Sequence, residues 1–325
     1  MSKAIRIYAY GGPEVLRWEE VTVGDPSPNE VRIRHTAVGL NFIDVYHRTG
    51  LYPLPSLPSS LGLEAAGVVE AVGSAVSGLT AGSRVAYASP PVGAYAEVRL
   101  MPADRVVSLP EAIDDHTAAA MMLKGLTAWY LLRRTYKVQP GDTILVHAAA
   151  GGVGLILCQW AHHLGATVIG TVGDAAKAEI ARAHGCQHTI IYSQDNFVQG
   201  VKDITGGQGV AVVYDAVGKA VFMDSLDCLQ PMGMMVTFGN ASGPVPAFEP
   251  ALLSAKGSLF LTRPSLMHYT ARREELVAGA TELFEVVTSG AVKIAVHQTY
   301  PLADTAQAHR DLEARKTTGS TLLLP

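Results

Sequence analysis

The segment His147-Ala148-Ala149-Ala150-Gly151-Gly152-Val153-Gly154 sets three glycines within four residues, and apolar residues follow at helical spacing: Val153, Leu157, Trp160, Ala161 and Leu164. Ahead of it, "TILVHA" has the composition of a buried strand. Strand, glycine-rich turn and helix start are the parts of an anion site. The first N–H groups of a helix have no partner within it, and glycines let a phosphate approach the backbone. Laid on the dinucleotide fingerprint G-x-G-x-x-G, the segment reads Ala149-x-Gly151-x-x-Gly154, with alanine in the first place. A glycine turn before a helix is common in α/β proteins, so a purely structural turn is the competing reading. The series of strand–helix units behind this turn favours a nucleotide.

The residues of the next unit bear on which nucleotide. An acid at the tip of the second strand binds the ribose 2′-hydroxyl of NAD. Here "TVIGTV" ends at Val172, which cannot bind a hydroxyl. Asp174 lies near the expected spacing of about 20 residues, but it follows Gly173 and equally suits a helix N-cap. Lys177, one turn into that helix, suits the 2′-phosphate of NADPH. The residues favour NADPH, with Asp174 as the objection, since a carboxylate beside that phosphate repels it.

The elements needed to position these groups are legible as two textures. Up to about residue 120 short strand patterns are closely spaced: "KAIRIYAYGGPEVLRWEEV" as a hairpin, "EVRIRHTAVGLN" with half-buried alternation, and "AAGVVEAVGSAVSGLTAGSRVAYA" as two strands around a glycine-rich turn. A small barrel or sandwich is expected there. From Lys124, "KGLTAWYLLRRTYKV" predicts a helix, and strands then alternate with helices through "TVIGTV", "DAAKAEIARAHG", "HTIIY", "NFVQGVKDITGG", "VAVVYDAV", "AVFMDSLDCL" and "MGMMVTFGN". Such alternation predicts a parallel sheet covered on both faces. The tail predicts a long helix ("REELVAGATELFEVVTSG"), a strand, a short helix and a last strand.

Composition bounds the function classes. With 325 residues, 48% hydrophobic and 17% charged, the chain suits two buried cores and is not disordered. A net charge of -4 offers no basic surface for nucleic acid or anionic membranes. Cys158, Cys186 and Cys228 are sparse and odd in number, which predicts packed thiols in a reducing compartment rather than a disulfide framework. No signal-peptide pattern and no membrane span is expected, and the predicted location is cytoplasmic.

Taken as a set, "NFIDVYHRTGLYP", "LGLEAAGVV", "LKGLTAWYLL", "HAAAGGVG", "GTVGDAAK", "YDAVGK", "FGNASGP" and "TRPSL" resemble the NADPH-dependent quinone oxidoreductases. These are a zinc-free, zeta-crystallin-like branch of the medium-chain dehydrogenase/reductase superfamily. The resemblance runs through nearly the whole chain in order. It implies an α/β fold: a GroES-like catalytic domain in residues 1–122, a Rossmann NADPH-binding domain in 123–263, and a return to the catalytic domain in 264–325. Zinc-dependent relatives place Cys where this chain has Asn41 and His where it has Leu63. Glu64 alone cannot supply the roughly three ligands a catalytic zinc takes, so no metal is expected.

The resemblance also implies site residues. Asn41, Phe42, Asp44 and Tyr46 line the cleft, with Asn41 and Tyr46 as hydrogen-bond donors to the quinone oxygen and Asp44 as an orienting acid. Lys124, Thr127 and Tyr130 border the cofactor. Ala150, Gly151, Gly152 and Val153 hold its pyrophosphate; Gly173, Lys177, Tyr192 and Arg315 surround its 2′-phosphate; Val217, Phe238, Gly239, Asn240, Arg263 and Pro264 follow its ribose and nicotinamide. At Asp174 the family more often has a small hydroxyl residue. Each residue alone has a plainer reading: Asn41 as a loop cap, Asp44 as a helix N-cap, Tyr46 and Tyr130 as packed aromatics, Lys177 as a solvated lysine.

The implied activity is zinc-independent reduction of quinones by NADPH, within EC 1.6.5. The alternatives are an alkenal or enone double-bond reductase on the same scaffold and a non-enzymatic nucleotide- or RNA-binding zeta-crystallin-like protein. A homodimer is expected through an apolar sheet edge carrying "MGMMVTFGN" and "GSLFLTR".

Overall fold

A computed structural model describes residues 2–325. The chain opens with strands β1 (Ser2–Ile7), β2 (Arg17–Val21) and β3 (Glu30–Leu40), then helix α1 (Phe42–Thr49). Strands β4 (Ser59–Ser60), β5 (Glu64–Val72), β6 (Arg84–Ala88), β7 (Val98–Pro102) and β8 (Val107–Ser108) lead to helix α2 (Asp115–Tyr130). Alternation follows: β9 (Thr143–His147), α3 (Gly152–His163), β10 (Thr167–Val172), α4 (Ala175–Ala183), β11 (His188–Ile191), α5 (Phe197–Ile204), β12 (Val210–Asp215), α6 (Phe222–Ser225), β13 (Leu229–Thr237), α7 (Ala251–Ala255), β14 (Phe260–Thr262) and α8 (Leu266–Tyr269). The tail is α9 (Arg273–Thr288), β15 (Val296–Pro301), α10 (Thr305–Glu313) and β16 (Ser320–Leu324).

Two compact units result. One holds the residues up to Leu126 with Thr270–Thr288 and Ile294–Pro325; the other holds Thr127–Tyr269 with Ser289–Lys293. The first unit is β-rich. Among the described residues its larger sheet runs β15-β16-β3-β5-β6-β8, with β7 also on β3, and a three-stranded sheet runs β2-β1-β4. The hairpin expected at the start forms, Ser2 facing Val21 in an antiparallel pair. β3 buries Val31 and Ile33 with Val69, Val85 and Tyr87, the packing that its alternation predicts, and past a register shift at His35–Ala37 it is buried continuously to Leu40.

The second unit is a parallel sheet in the order β11-β10-β9-β12-β13-β14. Numbered from β9, this is the doubly wound order 3-2-1-4-5-6, whose chain reversal opens a crevice at the strands' carboxyl ends. β9, β10 and β12 are almost wholly buried, so they read as continuous apolar runs rather than alternating ones.

α2 departs from the expected start at Lys124. It begins nine residues earlier, at Asp115, because Asp114 caps it: the Thr117 N–H donates to Asp114 Oδ1 at 2.8 Å and the Thr117 hydroxyl to Oδ2 at 2.7 Å. It closes in a wide π turn over Leu131–Thr135. No helix among the described residues is long and apolar enough to cross a membrane.

Candidate active site

The glycine turn sits where a doubly wound sheet binds ligands, at the carboxyl end of β9. Gly151 is the N-cap of α3, and no side chain caps it. The α3 ladder begins with Leu155 N–H on Gly151 O at 2.9 Å, which leaves the amides of Gly152, Val153 and Gly154 ahead of it for an anion. Gly154 is obligatory: a Cβ there would lie 2.4 Å from Ala148 O and 2.7 Å from Ala149 O. The alanine in the fingerprint's first place also has a cause. The Ala149 methyl occupies space left open by Gly170 on β10, where a Cβ would lie 2.7 Å from it. The left-handed turn residue is instead Ala148, at φ 56°.

At the end of β10, Val172 is buried and Asp174 is the N-cap of α4, its Oδ1 accepting from Lys177 N–H at 2.9 Å. The capping reading of Asp174 therefore holds, and its carboxylate is engaged by the backbone of the helix that carries Lys177. Tyr192 follows β11, half exposed, with its hydroxyl 3.1 Å from where a Cβ on Gly173 would be. Arg315 belongs to the other unit, just after α10.

Beyond β12, Asp215 Oδ1 accepts from Val217 N–H at 2.7 Å and Gly218 N–H at 2.9 Å, and so shapes the Val217 turn. Burial is the main cause that pushes the Asp215 carboxyl above its ordinary range. Phe238, Gly239 and Asn240 follow β13; a Cβ on Gly239 would lie 2.2 Å from Ala216 O, so the two turns pack backbone to backbone. Arg263, past β14 and followed by Pro264, donates from Nη1 to Thr237 O at 2.8 Å. Thr127 and Tyr130 are buried on α2, Tyr130 stacked on Tyr269 with ring centroids 4.6 Å apart.

In the first unit the functional side chains gather at the start of α1. Asn41 is its N-cap and Asp44 stands three residues on. The Asn41 N–H donates to Asp44 Oδ2 at 2.9 Å, so the acid reaches back to the cap. The Asn41 amide turns the other way and donates from Nδ2 to Glu64 Oε2 at 2.8 Å; Lys124 Nζ meets the same oxygen at 3.0 Å. Tyr46 is buried edge-on to Tyr52 at 5.2 Å, with Phe42 at 6.3 Å.

Asp44 is fully enclosed and acts inward. Tyr95 Oη donates to its Oδ2 at 2.8 Å, and His309 lies behind Tyr95, Nε2 at 3.1 Å. Arg48 completes the chain, 3.0 Å from His309 Nδ1 and paired through both terminal nitrogens with Glu313 at 2.8 and 2.9 Å. Burial pushes the Asp44 carboxyl up to about 7, against the bonds from Tyr95 and Asn41. Burial, assisted by the Arg48 charge, pulls His309 down to about 3. A neutral imidazole then donates from Nε2 to the tyrosine oxygen and accepts at Nδ1 from Arg48.

Comparison with known proteins decides the family. The alcohol dehydrogenase GroES-like domain matches residues 27–111, and the zinc-binding dehydrogenase model matches residues 152–285. A quinone oxidoreductase of Pseudomonas aeruginosa is 53% identical over 325 residues, 100% of each chain. The chain belongs to the quinone oxidoreductase family. A 2-haloacrylate reductase of Burkholderia sp is 49% identical over 334 residues, covering 100% of this chain and 99% of the other. The crystal structure of Escherichia coli quinone oxidoreductase complexed with NADPH superposes with a TM-score of 0.98 at 52% identity, over 99% of this chain and 100% of that one.

Within this quinone oxidoreductase fold, no group of three or more His, Cys, Asp or Glu side chains among the described residues is placed to hold a metal ion, although one matching model is named for zinc. Beside Glu64 stands the Lys124 ammonium. Tyr95, His309 and Glu313 escaped the sequence reading, since they lie far from Asp44 in the chain and match no short motif; Arg48, one helical turn after Asp44, escaped it because its partners His309 and Glu313 are 261 and 265 residues away. Glu64 was visible only as a residue insufficient for zinc. Its signal was Gly39, a glycine in the buried end of a strand, which marks a close approach.

Proposed function

We propose that the protein catalyses zinc-independent reduction of quinones with NADPH. The observation that carries this is the placement of Gly151, Gly173, Tyr192, Val217, Phe238 and Arg263 just past the carboxyl ends of β9, β10, β11, β12, β13 and β14, around a helix start with no side-chain cap and a turn that excludes a Cβ at Gly154. The full-length likeness to quinone oxidoreductases supports it. These residues fit a dinucleotide: the amides of Gly152 and Val153, with Ala150 and Gly151, hold a pyrophosphate, and Gly173, Lys177 and Tyr192 take the 2′-phosphate. Val217, Phe238, Gly239, Asn240, Arg263 and Pro264 serve the ribose and nicotinamide, and Phe42, Lys124, Thr127 and Tyr130 border the cofactor. Bound NADPH supplies a hydride from its nicotinamide ring.

The chain's own residues orient the acceptor and exclude water. A quinone gains negative charge on oxygen as it is reduced, and Asn41 and Tyr46 donate hydrogen bonds to it. Asp44 holds the Asn41 backbone rather than touching substrate. In this reading residues 1–122 and 264–325 form the catalytic domain and 123–263 the NADPH-binding domain. Exposed Phe260, Leu261 and Met232, on edge strand β14 and its neighbour β13, support a homodimer. The sparse cysteines, all free, support a cytoplasmic location. The net charge of -4 argues against an RNA-binding role.

A second reading, reduction of an activated carbon–carbon double bond, draws support from the likeness to the 2-haloacrylate reductase. Steady-state oxidation of NADPH with 1,4-benzoquinone, a naphthoquinone, a simple enone and 2-chloroacrylate separates the two. The quinones are expected to give the highest kcat/KM. Turnover confined to the enone or the haloacrylate would move the assignment to the second reading, and no turnover with any acceptor would sink both.

A further inference from the structure

We propose that Glu64 is a positioning residue which makes Lys124 and Asn41 a paired donor site for the oxygen that gains negative charge during reduction. The proposal rests on the reductase reading above and names the part of the site that stabilises the charge.

Glu64 opens β5 and is fully buried. Both its oxygens are committed: Oε2 accepts from Asn41 Nδ2 at 2.8 Å and from Lys124 Nζ at 3.0 Å, and Oε1 accepts from Leu123 N–H at 2.7 Å. The fold makes room for this carboxylate. Gly39 faces Glu64 across the β3–β5 pair, and a Cβ there would lie 2.1 Å from Oε2 and 2.4 Å from Ala119 O. A strand interior has given up a side chain to house a charge. Stability alone does not call for this, because a buried ion pair is commonly matched or bettered by apolar residues of similar volume.

What the carboxylate achieves is orientation. An amide flipped at Asn41 would set its oxygen against Glu64, so Glu64 fixes which end of Asn41 is the donor. The amide nitrogen has two hydrogens and the ammonium three, and Glu64 engages one of each. Both nitrogens converge on one oxygen atom, so the two donors are neighbours. Asn41 and Lys124 are each 6% exposed, and donors in so dry a place act more strongly on an anion than in water. One is anchored by a helix cap and the other by the middle of α2, so neither reorganises as charge appears. Hydride addition reduces the quinone by two electrons, oxidises the nicotinamide to NADP+, and leaves one negative charge on a quinone oxygen. The two donors hold that charge until a proton from solvent neutralises it.

The test uses the full-length protein saturated with NADP+ and 4-nitrophenol, whose phenolate absorbs at its own wavelength and stands in for the hydroquinone monoanion. The wild type is expected to lower the apparent pKa of bound nitrophenol by about one unit or more. Lys124→Met, which removes the cationic donor, is expected to abolish that shift and to lower kcat with 1,4-benzoquinone by about 10- to 100-fold. Glu64→Leu, which removes the acceptor that orients both donors, is expected to lower kcat by a similar factor. The double variant Glu64→Leu/Lys124→Met removes both charges together and covers the case in which Glu64→Leu does not fold. A merely structural pair would regain activity in it; the paired donor site is expected to lose the shift and the turnover alike. Retention of the shift and kcat in any of these variants overturns the proposal, as does a wild type that reduces quinones without shifting nitrophenol. A wild type that shifts nitrophenol through Lys124 but reduces no quinone would sink the quinone reading and leave the donor site standing.

Discussion

The turn after β9 and the cluster at the start of α1 are built from opposite materials. The turn is backbone: amides ahead of the α3 ladder, a left-handed Ala148, and glycines whose missing Cβ atoms let main chains touch. The cluster is side chain: two fully buried acids, Glu64 with Asn41 and the Lys124 cation on it, and Asp44 with the Tyr95 hydroxyl on Oδ2 and its Oδ1 left without a partner among the described residues. A backbone site can grip any dinucleotide phosphate, because it reads only negative charge and close approach. A side-chain cluster can be tuned to one reaction, at the cost of burying charges that each need a named partner.

That contrast breaks if damage to one region spreads to the other. The largest effect is expected from Arg48→Met. It strands His309 Nδ1 and Glu313 and removes a cation whose side chain is 1% exposed, with Glu313 at 35%. Truncating one member of a buried pair costs about 3 kcal/mol or more, and the partial exposure of Glu313 sets the lower end. Thermal and denaturant melts should show this loss, while NADPH affinity in the folded protein stays within about twofold. A parallel collapse of NADPH affinity would show that the cluster supports the turn.

Gly154→Val attacks the turn. Its Cβ would meet Ala148 O at 2.4 Å, so the backbone must move. An affinity loss of about 2 to 3 kcal/mol for NADPH is expected, roughly 30- to 150-fold, with kcat at saturating cofactor largely kept. An unchanged Kd would mean the turn is structural only. A smaller effect is expected from Lys177→Ala: KM for NADPH rises about tenfold and KM for NADH stays nearly constant. If NADH suffers equally, Lys177 does not read the 2′-phosphate.

The same contrast explains what was legible in the sequence. Backbone sites leave glycines and strand–helix periods, both local, so the turn, the order of the elements and the doubly wound sheet could be read directly. Asp174 as an N-cap was readable for the same reason, its partner being three residues away. The side-chain cluster joins residues 41, 64 and 124 in one group and 44, 95, 309, 48 and 313 in another. Helical spacing links 44 with 48 and 309 with 313, but no periodicity links these two helices to each other or to residues 41, 64, 95 and 124. Family resemblance supplied Asn41, Asp44 and Tyr46 without saying what holds them. Asp44 shows the gap: expected along a cleft, it is fully enclosed, with its Oδ2 on the Asn41 backbone and Tyr95. The early start of α2 was legible on the same terms, since Asp114 and its partner Thr117 are also three residues apart, and an expected start at Lys124 passes over that cap.

Asn41→Ala tests the central claim, that the buried side chains at the start of α1 drive the cofactor's use and do not bind it. NADPH affinity by fluorescence titration and kcat with 1,4-benzoquinone are measured on the same preparation. The account expects kcat to fall by about 10- to 100-fold with the NADPH Kd within about twofold of wild type. A Kd that rises in step with the loss of kcat, or a kcat that does not change, would contradict it.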